Sequence, residues 1–301
     1  MNLRQLKLEF FQIRKAFFVY RAGWRYLWTK FVIAPRIRHL PGPFEKPVTQ
    51  PRLSVHMLTC HRDITIMLWS LQSYYSVATV IGQLFIHNDG SLTAGDKQLL
   101  NKFFPGAQLI NAATFPQDFE PELKIFPALR RFRVEQTKHF SFKKLIDPLV
   151  ASSAPMHMIL DSDILWFRQP IELEAEIHLG CQHSLMQDNR VLIPASYRDG
   201  TNIPEIYQRF NAGIILYRVE NFDVSALVTH LQKLDPGNER NFHFADQTGH
   251  AVALKHLLPL PPTYQIHDQV GSATVARHYT SPRRVKLYTE GLALIAAKLN
   301  K

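Results

Sequence analysis

Cysteine is scarce in this sequence, because Cys60 and Cys181 are the only two among 301 residues. Two cysteines are too few for a disulfide framework, and no CxxC pair is present to bind zinc or to form a redox dithiol. No stretch approaches the roughly 18 uncharged apolar residues that a spanning helix requires. The N-terminus also lacks the apolar core and the cleavage site of a secretory signal. We therefore expect a cytoplasmic protein that does not cross a membrane.

Acidic residues are also in deficit, with 25 Asp and Glu against 35 Lys and Arg and a formal net charge of +10. Residues 1–38 carry +8 of this charge, since Glu9 is their only acid. Bulky aromatic residues alternate with these bases, a combination that suits the surface of an anionic membrane. We expect peripheral contact with the inner face of the cell membrane through residues 1–38; the alternative is a helix whose aromatics pack on the main domain. The sequence has no RRM, KH or zinc signature, so nucleic acid is not an expected partner.

The chain divides into a short N-terminal segment and one large domain. Five prolines between residues 35 and 51 exclude a continuous helix there and indicate a linker. From Leu53 onward, short apolar runs alternate with longer amphipathic ones, the pattern of strand-helix-strand units. We predict an N-terminal helical extension over residues 1–51 and an α/β domain over 52–301, with a mixed, mostly parallel sheet flanked by helices. The predicted strands are 53–60, 82–88, 107–111, 157–160 and 212–217. The predicted helices are 63–76, 92–103, 126–152, 223–234 and 244–256. Residues 168–208 are expected to be irregular.

Polar residues follow three of the predicted strands. His61 follows the first, Asp89 the second, and the pair Asp161 and Asp163 the fourth. In open α/β sheets ligands bind beyond the carboxyl ends of the strands, so these residues are expected to share one crevice. Two carboxylates that close together at a buried strand end need a cation to offset their repulsion. Oxygen ligands favour Mg²⁺ or Mn²⁺, which also bind phosphate oxygens.

The segment from Met158 to Phe167, MILDSDILWF, resembles the DxD segment of GT-A glycosyltransferases, especially bacterial enzymes related to family 8. The resemblance covers roughly residues 53–291 and implies a Rossmann-like GT-A fold and a nucleotide-sugar donor, with UDP favoured. It implies that Asp161, Ser162 and Asp163 bind the donor and that Asp161 and Asp163 hold Mn²⁺ or Mg²⁺.

Two further segments resemble donor-binding elements of those enzymes. Asn88-Asp89-Gly90-Ser91 is similar to the turn that holds the nucleoside, so Asp89 is expected to contact the ribose or the base. Lys144 occupies the place where family 8 usually has an arginine that touches the donor. His61 is assigned to the nucleotide by its position at the end of the first strand alone.

Three segments resemble the sugar-binding and metal-binding elements. Phe210-Asn211-Ala212-Gly213 is similar to the FNxG segment, which implies that Asn211 faces the sugar. Asp246-Gln247 resembles the acidic-Gln element beside the transferred sugar. His278 matches the C-terminal histidine that completes the metal site, and a downstream Lys286 is then expected on the diphosphate. The match is partial there, because the family usually has its lysine closer to the histidine and follows it with an aromatic residue. Arg283 or Arg284 is therefore the alternative contact of the phosphate.

The resemblance implies a metal-dependent glycosyltransferase that acts on a hydroxyl acceptor. The basic, aromatic N-terminal segment suggests that this acceptor is a membrane-associated glycan or a lipid-linked sugar. The resemblance favours retention of configuration; an inverting enzyme requires a base, for which Asp246 is the candidate. One alternative is a phosphatase or phosphotransferase that uses Asp-x-Asp as nucleophile and acid, although such motifs usually begin a domain. The other is a non-catalytic membrane-associated protein with the same fold.

Overall fold

The computed structural model describes residues 3–135, 140–180, 183–188, 195–235, 238, 241, 244–254, 257–280 and 284–299. Apolar runs rich in branched residues form two sheets. The main sheet contains β1 Leu53–Thr59, β2 Gln83–Asn88, β3 Gln108–Asn111, β4 Met156–Asp161, β6 His183–Gln187, β7 Phe210–Arg218 and β8 Leu257–Pro259. The smaller sheet contains β5 Ile164–Trp166, β9 Tyr264–Gln265 and β10 Ala276–His278.

The main sheet has the strand order β3-β2-β1-β4-β7-β6-β8. Strand β7 runs antiparallel to β4 and β6, and the other neighbouring strands pair in parallel. The predicted mixed, mostly parallel α/β sheet is therefore confirmed. Because β1, β2 and β4 run in the same direction, their carboxyl ends lie at one edge of the sheet, as the sequence predicted for the ligand crevice.

Helices cover both faces of the sheet. They are α1 Leu3–Phe18, α2 Gly23–Trp28, α3 Ile64–Val77, α4 Ala94–Phe103, α5 Phe115–Asp118, α6 Glu120–Ile125, α7 Pro127–Glu135, α8 Phe140–Ala151, α9 Ile171–Leu179, α10 Glu205–Gln208, α11 Val224–Lys233, α12 Ala245–Ala253 and α13 Leu292–Leu299. Most predicted elements agree with these bounds to within about two residues. The predicted helix 126–152 corresponds to α7 and α8, and residues 136–139 lie outside the described part of the chain.

The prediction that residues 168–208 are irregular was wrong for part of that stretch, which contains α9 and β6. Helix α9 ends at Leu179 and is capped by Gly180, whose φ of +86° is the left-handed conformation that commonly terminates helices and that glycine adopts without strain. Residue spacing alone did not reveal the helix, because its apolar side chains do not fall on one clear face.

Alternate residues of β4 enter the two halves of the core. Met158 and Leu160 pack with α3 and the terminal helices, whereas Ile159 packs with side chains of α8, α11 and α12. Since side chains alternate along a strand, His157 and Asp161 lie on the same face as Ile159. Both therefore point towards the α8 side of the sheet, which brings Asp161 within reach of that helix.

The N-terminal segment packs against this domain through one side. Ala16, Tyr26, Ala34 and Ile37 are buried in the same core as the α3 side of the sheet. Trp69 of α3 donates its indole N–H to the carbonyl of Ala34 at 2.9 Å. No described helix has the length and apolar character needed to cross a bilayer.

A stack of buried histidines, His56, His87 and His157, lies on the α8 face of β1, β2 and β4. His56 Nδ1 is 2.9 Å from His87 Nε2, and the rings of His56 and His157 are 4.9 Å apart. The hydroxyl of Ser54 is 2.8 Å from His56 Nε2. Burial lowers the pKa of His56 well below its ordinary value, that of His87 to about 3 and that of His157 to about 4. These imidazoles are therefore neutral at physiological pH.

The smaller sheet brings distant parts of the chain together beside β4. Strand β5 begins directly after Asp163 and pairs antiparallel with β10, so that Ile164 lies opposite His278. The amide of Tyr279 also donates to the carbonyl of Asp163 at 3.0 Å. This pairing places His278 next to the Asp161-Ser162-Asp163 turn, although more than a hundred residues separate them in sequence.

Candidate active site

Two carboxylates and one imidazole converge where β4, β5 and β10 meet. His278 Nε2 lies 3.3 Å from Asp161 Oδ2 and 3.0 Å from Asp163 Oδ1. One ligand atom from each of the three residues lies within 4.8 Å of the others, as in a metal site. His278 and Asp163 are buried, whereas the Asp161 side chain remains 29% exposed. The cluster is thus enclosed on the protein side and open towards solvent at Asp161.

The electrostatics of this cluster are those of a site that needs positive charge. Burial on its own lowers the pKa of His278, but Asp163 and Asp161 outweigh it and raise the value to about 9. A proton on Nε2 therefore offsets part of the carboxylate charge. A divalent cation has the charge to take the place of that proton, because both carboxylates and the imidazole nitrogen are ligands of the kind that Mn²⁺ or Mg²⁺ accept.

Asn211 orients the histidine. Its Oδ1 is 2.6 Å from His278 Nδ1 and also accepts the amide N–H of Gly213 at 2.9 Å. An amide oxygen that accepts from Nδ1–H fixes the tautomer and directs Nε2 at Asp161 and Asp163, as is usual for metal-binding histidines. The sequence predicted that Asn211 faces the sugar. In the structure its Oδ1 contacts His278 at Nδ1, on the opposite side of the ring from the two carboxylates.

Gly213 permits this close approach. A Cβ atom at this position would lie 2.5 Å from His278 Nδ1 and 2.8 Å from Asn211 Oδ1, too close for either side chain to stay where it is. The FNxG segment therefore requires glycine for steric reasons that concern the histidine.

Lys144 of α8 neutralises the other side of Asp161. Its Nζ donates to Asp161 Oδ1 at 2.6 Å and to the carbonyl of Ala212 at 2.5 Å, and it lies 3.4 Å from Asp246 Oδ2. Burial acts to lower the pKa of Lys144, but Asp161 and Asp246 raise it above its ordinary value. The pKa of Asp161, which burial alone would raise, is held well below its usual range by Lys144 and His278. Lys144 thus links Asp161 to Asp246.

Arg284 contacts Asp163 in the way that Lys144 contacts Asp161, as a cation paired with a carboxylate. Its Nε donates to Asp163 Oδ2 at 3.1 Å and its Nη1 to Asp63 Oδ1 at 2.8 Å. Asp63 also accepts two hydrogen bonds from Arg62. The sequence named Arg284 only as a substitute for Lys286, and it did not single out Asp63. Lys286 lies elsewhere, with its Nζ 5.9 Å from the Tyr20 ring, and Arg283 lies outside the described residues.

The ends of β1 and β2 form the neighbouring part of the edge. The backbone N–H of His61 donates to Ser91 Oγ at 2.9 Å, and its Nδ1 is 2.6 Å from Asp96 Oδ2 in the N-terminal cap of α4. Asp89 Oδ1 accepts from the amide and the hydroxyl of Ser91. Lys143 donates to the Asp89 carbonyl at 3.0 Å, which ties this turn to α8. His61 and Asp89 therefore lie in one connected loop region.

Two other residues named from the sequence have defined places. Ser162 is buried within the Asp161-Ser162-Asp163 turn. Gln247 follows Asp246 at the start of α12 and donates its side-chain amide to the carbonyl of Gln208 at 2.6 Å. Asp246 faces Lys144, whereas Gln247 is anchored to the end of α10.

Comparison with known proteins gives structural likeness only. No family model matches the chain, and no curated protein matches it. Mouse xyloside xylosyltransferase 1 superposes with a TM-score of 0.49 at 16% identity, over 79% of this chain and 99% of that one. The galactosyltransferase LgtC, in complex with donor and acceptor sugar analogues, gives 0.48 at 10% identity over 82% and 96%. The bifunctional glycosyltransferase WbbM gives 0.48 at 16% identity over 80% and 48%. Likeness at this level does not establish membership of a family.

Proposed function

We propose that this chain is a metal-dependent glycosyltransferase that moves a sugar from a nucleoside diphosphate donor, UDP-linked by preference, to a hydroxyl acceptor. The convergence of Asp161, Asp163 and His278 at the carboxyl edge of the sheet carries the proposal. All of these residues lie within 52–301, which we propose as the catalytic domain, with 1–51 as its helical extension.

Each side chain has a role that its contacts support. Asp161, Asp163 and His278 would hold Mn²⁺ or Mg²⁺, which supplies charge stabilisation for a departing diphosphate. Asn211 keeps His278 Nε2 directed at the two carboxylates. Arg284 is the guanidinium closest to this centre among the described residues, and its fork geometry suits phosphate oxygens, so we assign it to the diphosphate in place of Lys286.

Lys144 has the role of holding Asp161 in its ionised form and in a fixed position. We propose that Asp246, anchored on the same ammonium, binds hydroxyl groups of the transferred sugar, and that Gln247 lines that subsite. His61, Asp89 and Ser162 are proposed contacts of the nucleotide side. Positioning and electrostatic stabilisation then supply most of the rate.

We propose that the configuration of the sugar is retained. Asp246, the candidate base named from the sequence, shares Lys144 with Asp161, and this ion pair makes it a poor general base. In a retaining reaction the departing phosphate can accept the proton of the acceptor hydroxyl, so no separate base is required. We propose a glycan or a lipid-linked sugar as the acceptor and the cytoplasm as the location.

The decisive experiment is calorimetric titration with UDP in the presence and absence of Mn²⁺. The wild type is compared with an Asp161→Asn/Asp163→Asn variant and with a control variant, Asp118→Asn/Asp199→Asn, which changes two exposed carboxylates that accept hydrogen bonds from Thr114 and Thr201. We expect binding that requires Mn²⁺, a loss of roughly a hundredfold or more in the first variant and no change in the control. Thermal unfolding of all three proteins establishes that they are folded.

Failure to bind either UDP or GDP in the presence of Mn²⁺ contradicts the proposal. Release of phosphate from a phosphomonoester, with loss of that activity in Asp161→Asn/Asp163→Asn, would assign the chain to the phosphotransferase alternative. If UDP binds and a panel of UDP-sugars is hydrolysed slowly with Mn²⁺, the identity of the hydrolysed donor names the sugar.

A further inference from the structure

The exposed aromatic residues of the described chain are concentrated in one short segment. Every Phe or Trp that is largely exposed among the described side chains lies between residues 10 and 31. We call this set the aromatic face; it consists of Phe10, Phe11, Phe18, Trp24, Trp28 and Phe31. Phe18 and Trp24 are each 79% exposed. Large aromatic side chains in contact with water are unfavourable, and a cluster of them marks an interaction surface.

The fold orients these side chains away from the core. Trp24, Trp28 and Phe31 are spaced by four and three residues, which places them on one stripe of a helical segment. Tyr26 and Thr29 in the same segment are buried against the domain. One side of the segment therefore packs on the domain, and the other side, which carries the aromatic face, remains exposed to solvent.

The charge around the aromatic face is of one sign. Lys7, Arg14, Arg21 and Arg25 are exposed within the same stretch. Glu9, the only acid among residues 1–38, forms an ion pair with Lys30 and accepts a hydrogen bond from Tyr26 at 3.3 Å. The acidic charge is thus neutralised within the segment, and the charge presented to solvent is basic.

We propose that the aromatic face docks the protein on an anionic lipid bilayer, with the aromatic rings at the level of the headgroups and the bases on lipid phosphates. Aromatic and basic side chains together form the usual composition of such interfacial segments. A second copy of the chain is a poorer occupant, because two such basic surfaces would repel each other. This inference is independent of sugar transfer and stands whether or not the site binds a nucleotide.

The test is sedimentation of the full chain with vesicles of phosphatidylcholine alone and of phosphatidylcholine with 30% phosphatidylglycerol. One variant removes the aromatics, Trp24→Ser/Trp28→Ser/Phe31→Ser, and another removes charge, Arg14→Gln/Arg21→Gln/Arg25→Gln. The matched control, Ile171→Ser/Leu179→Ser/Ile206→Ser, removes three exposed apolar side chains elsewhere. We expect binding to the anionic vesicles only, a loss of roughly a hundredfold in partition for the charge variant, a comparable loss for the aromatic variant and none for the control.

Tryptophan fluorescence provides an independent readout. The chain has four tryptophans, and Trp69 and Trp166 are buried, so a shift of emission to shorter wavelength on adding vesicles reports on Trp24 and Trp28. Sedimentation of wild type and aromatic variant to the same extent would overturn the proposal, as would the absence of a fluorescence shift. A dimer measured by light scattering that the aromatic variant dissociates, without vesicle binding, would assign the face to a second copy instead.

Discussion

Two groups of buried polar side chains lie on the same face of one strand and are stabilised in opposite ways. Asp161 and His157 are four residues apart in β4, on the α8 side of the sheet. Asp161 is kept ionised by Lys144 and His278, whereas His157 and its neighbours in the histidine stack are kept neutral by burial. Burial thus disfavours charge in both places, and only the strand end brings opposite charges close enough to overcome it. The strand end is therefore where we place the proposed cation site.

The substitution with the largest expected effect on stability removes the positive charge of Lys144 from the strand end. Lys144→Met leaves Asp161 and Asp246 without their shared ammonium, and we expect the free energy of unfolding to fall by about 3–5 kcal/mol, the usual cost of breaking a buried ion pair. Urea unfolding at pH 7.5 without metal measures it. Lys143→Met is the matched control, because Lys143 is only half-buried and its hydrogen bond is to the backbone carbonyl of Asp89. Equal effects of the two substitutions would show that Asp161 does not depend on Lys144.

The second largest effect is expected from acid, which should lower the free energy of unfolding through the histidine stack. The pKa of His87 is lowered to about 3 and that of His157 to about 4, so between pH 6.5 and pH 4 the unfolded state binds more protons and stability falls as pH falls. We expect a loss of about 2 kcal/mol for each of these two histidines between pH 7.5 and pH 5.0.

Urea unfolding at the two pH values measures the total change in stability. His56, His230 and His250, whose pKa values burial also lowers, add to that change, and His278, whose pKa is raised, opposes it. The comparison with variants isolates the stack: His157→Phe should reduce the loss by about 2 kcal/mol, whereas His178→Phe, at an exposed position, is the control. A His157→Phe protein that loses as much stability as the wild type would mean that His157 is not held neutral.

The smallest expected effect concerns the orientation of His278. In Gly213→Ala the added methyl group would displace His278 or Asn211, since its nearest contact would be 2.5 Å. We expect Mn²⁺ affinity to decrease by about 10–100-fold, the usual effect of disturbing a group that orients a ligand. Calorimetry measures the affinity. Gly95→Ala is the control, because its Cβ would approach only Thr93 Oγ1, at 3.8 Å. An unchanged affinity in Gly213→Ala would mean that His278 is not a metal ligand.

Much of the fold and part of the site could be predicted from the sequence. The parallel strands were located because each is a short apolar run followed by a polar turn, and the meeting of Asp161 with Asp163 follows from their spacing. The approach of His278 was inferred from a family resemblance, since it depends on pairing between β5 and β10, strands of three residues each. Strands that short leave no periodic signal in a sequence.

Other contacts could not be predicted because they join side chains that are far apart in the sequence. Asp63 and Arg284 meet across more than two hundred residues, and nothing in either local segment specifies the partner. Lys286 was named first because the family has a lysine downstream of its histidine, although the spacing differs; in the short helix Arg284–Lys286, Lys286 lies over the Tyr20 ring. The contact between Asn211 and His278 could not be foreseen either, because an amide that bonds a histidine and an amide that binds a sugar look alike in sequence.

The pairing of the chain's two ends has a consequence for synthesis. Tyr26 packs edge-to-face on Tyr288, with ring centroids 5.4 Å apart, so the buried side of the N-terminal helices is covered by residues made more than two hundred and fifty positions later. His278 also comes late, and contacts of such large sequence separation form slowly. The aromatic segment is therefore synthesised well before the residues that cover its underside, and its packing on the domain is completed late.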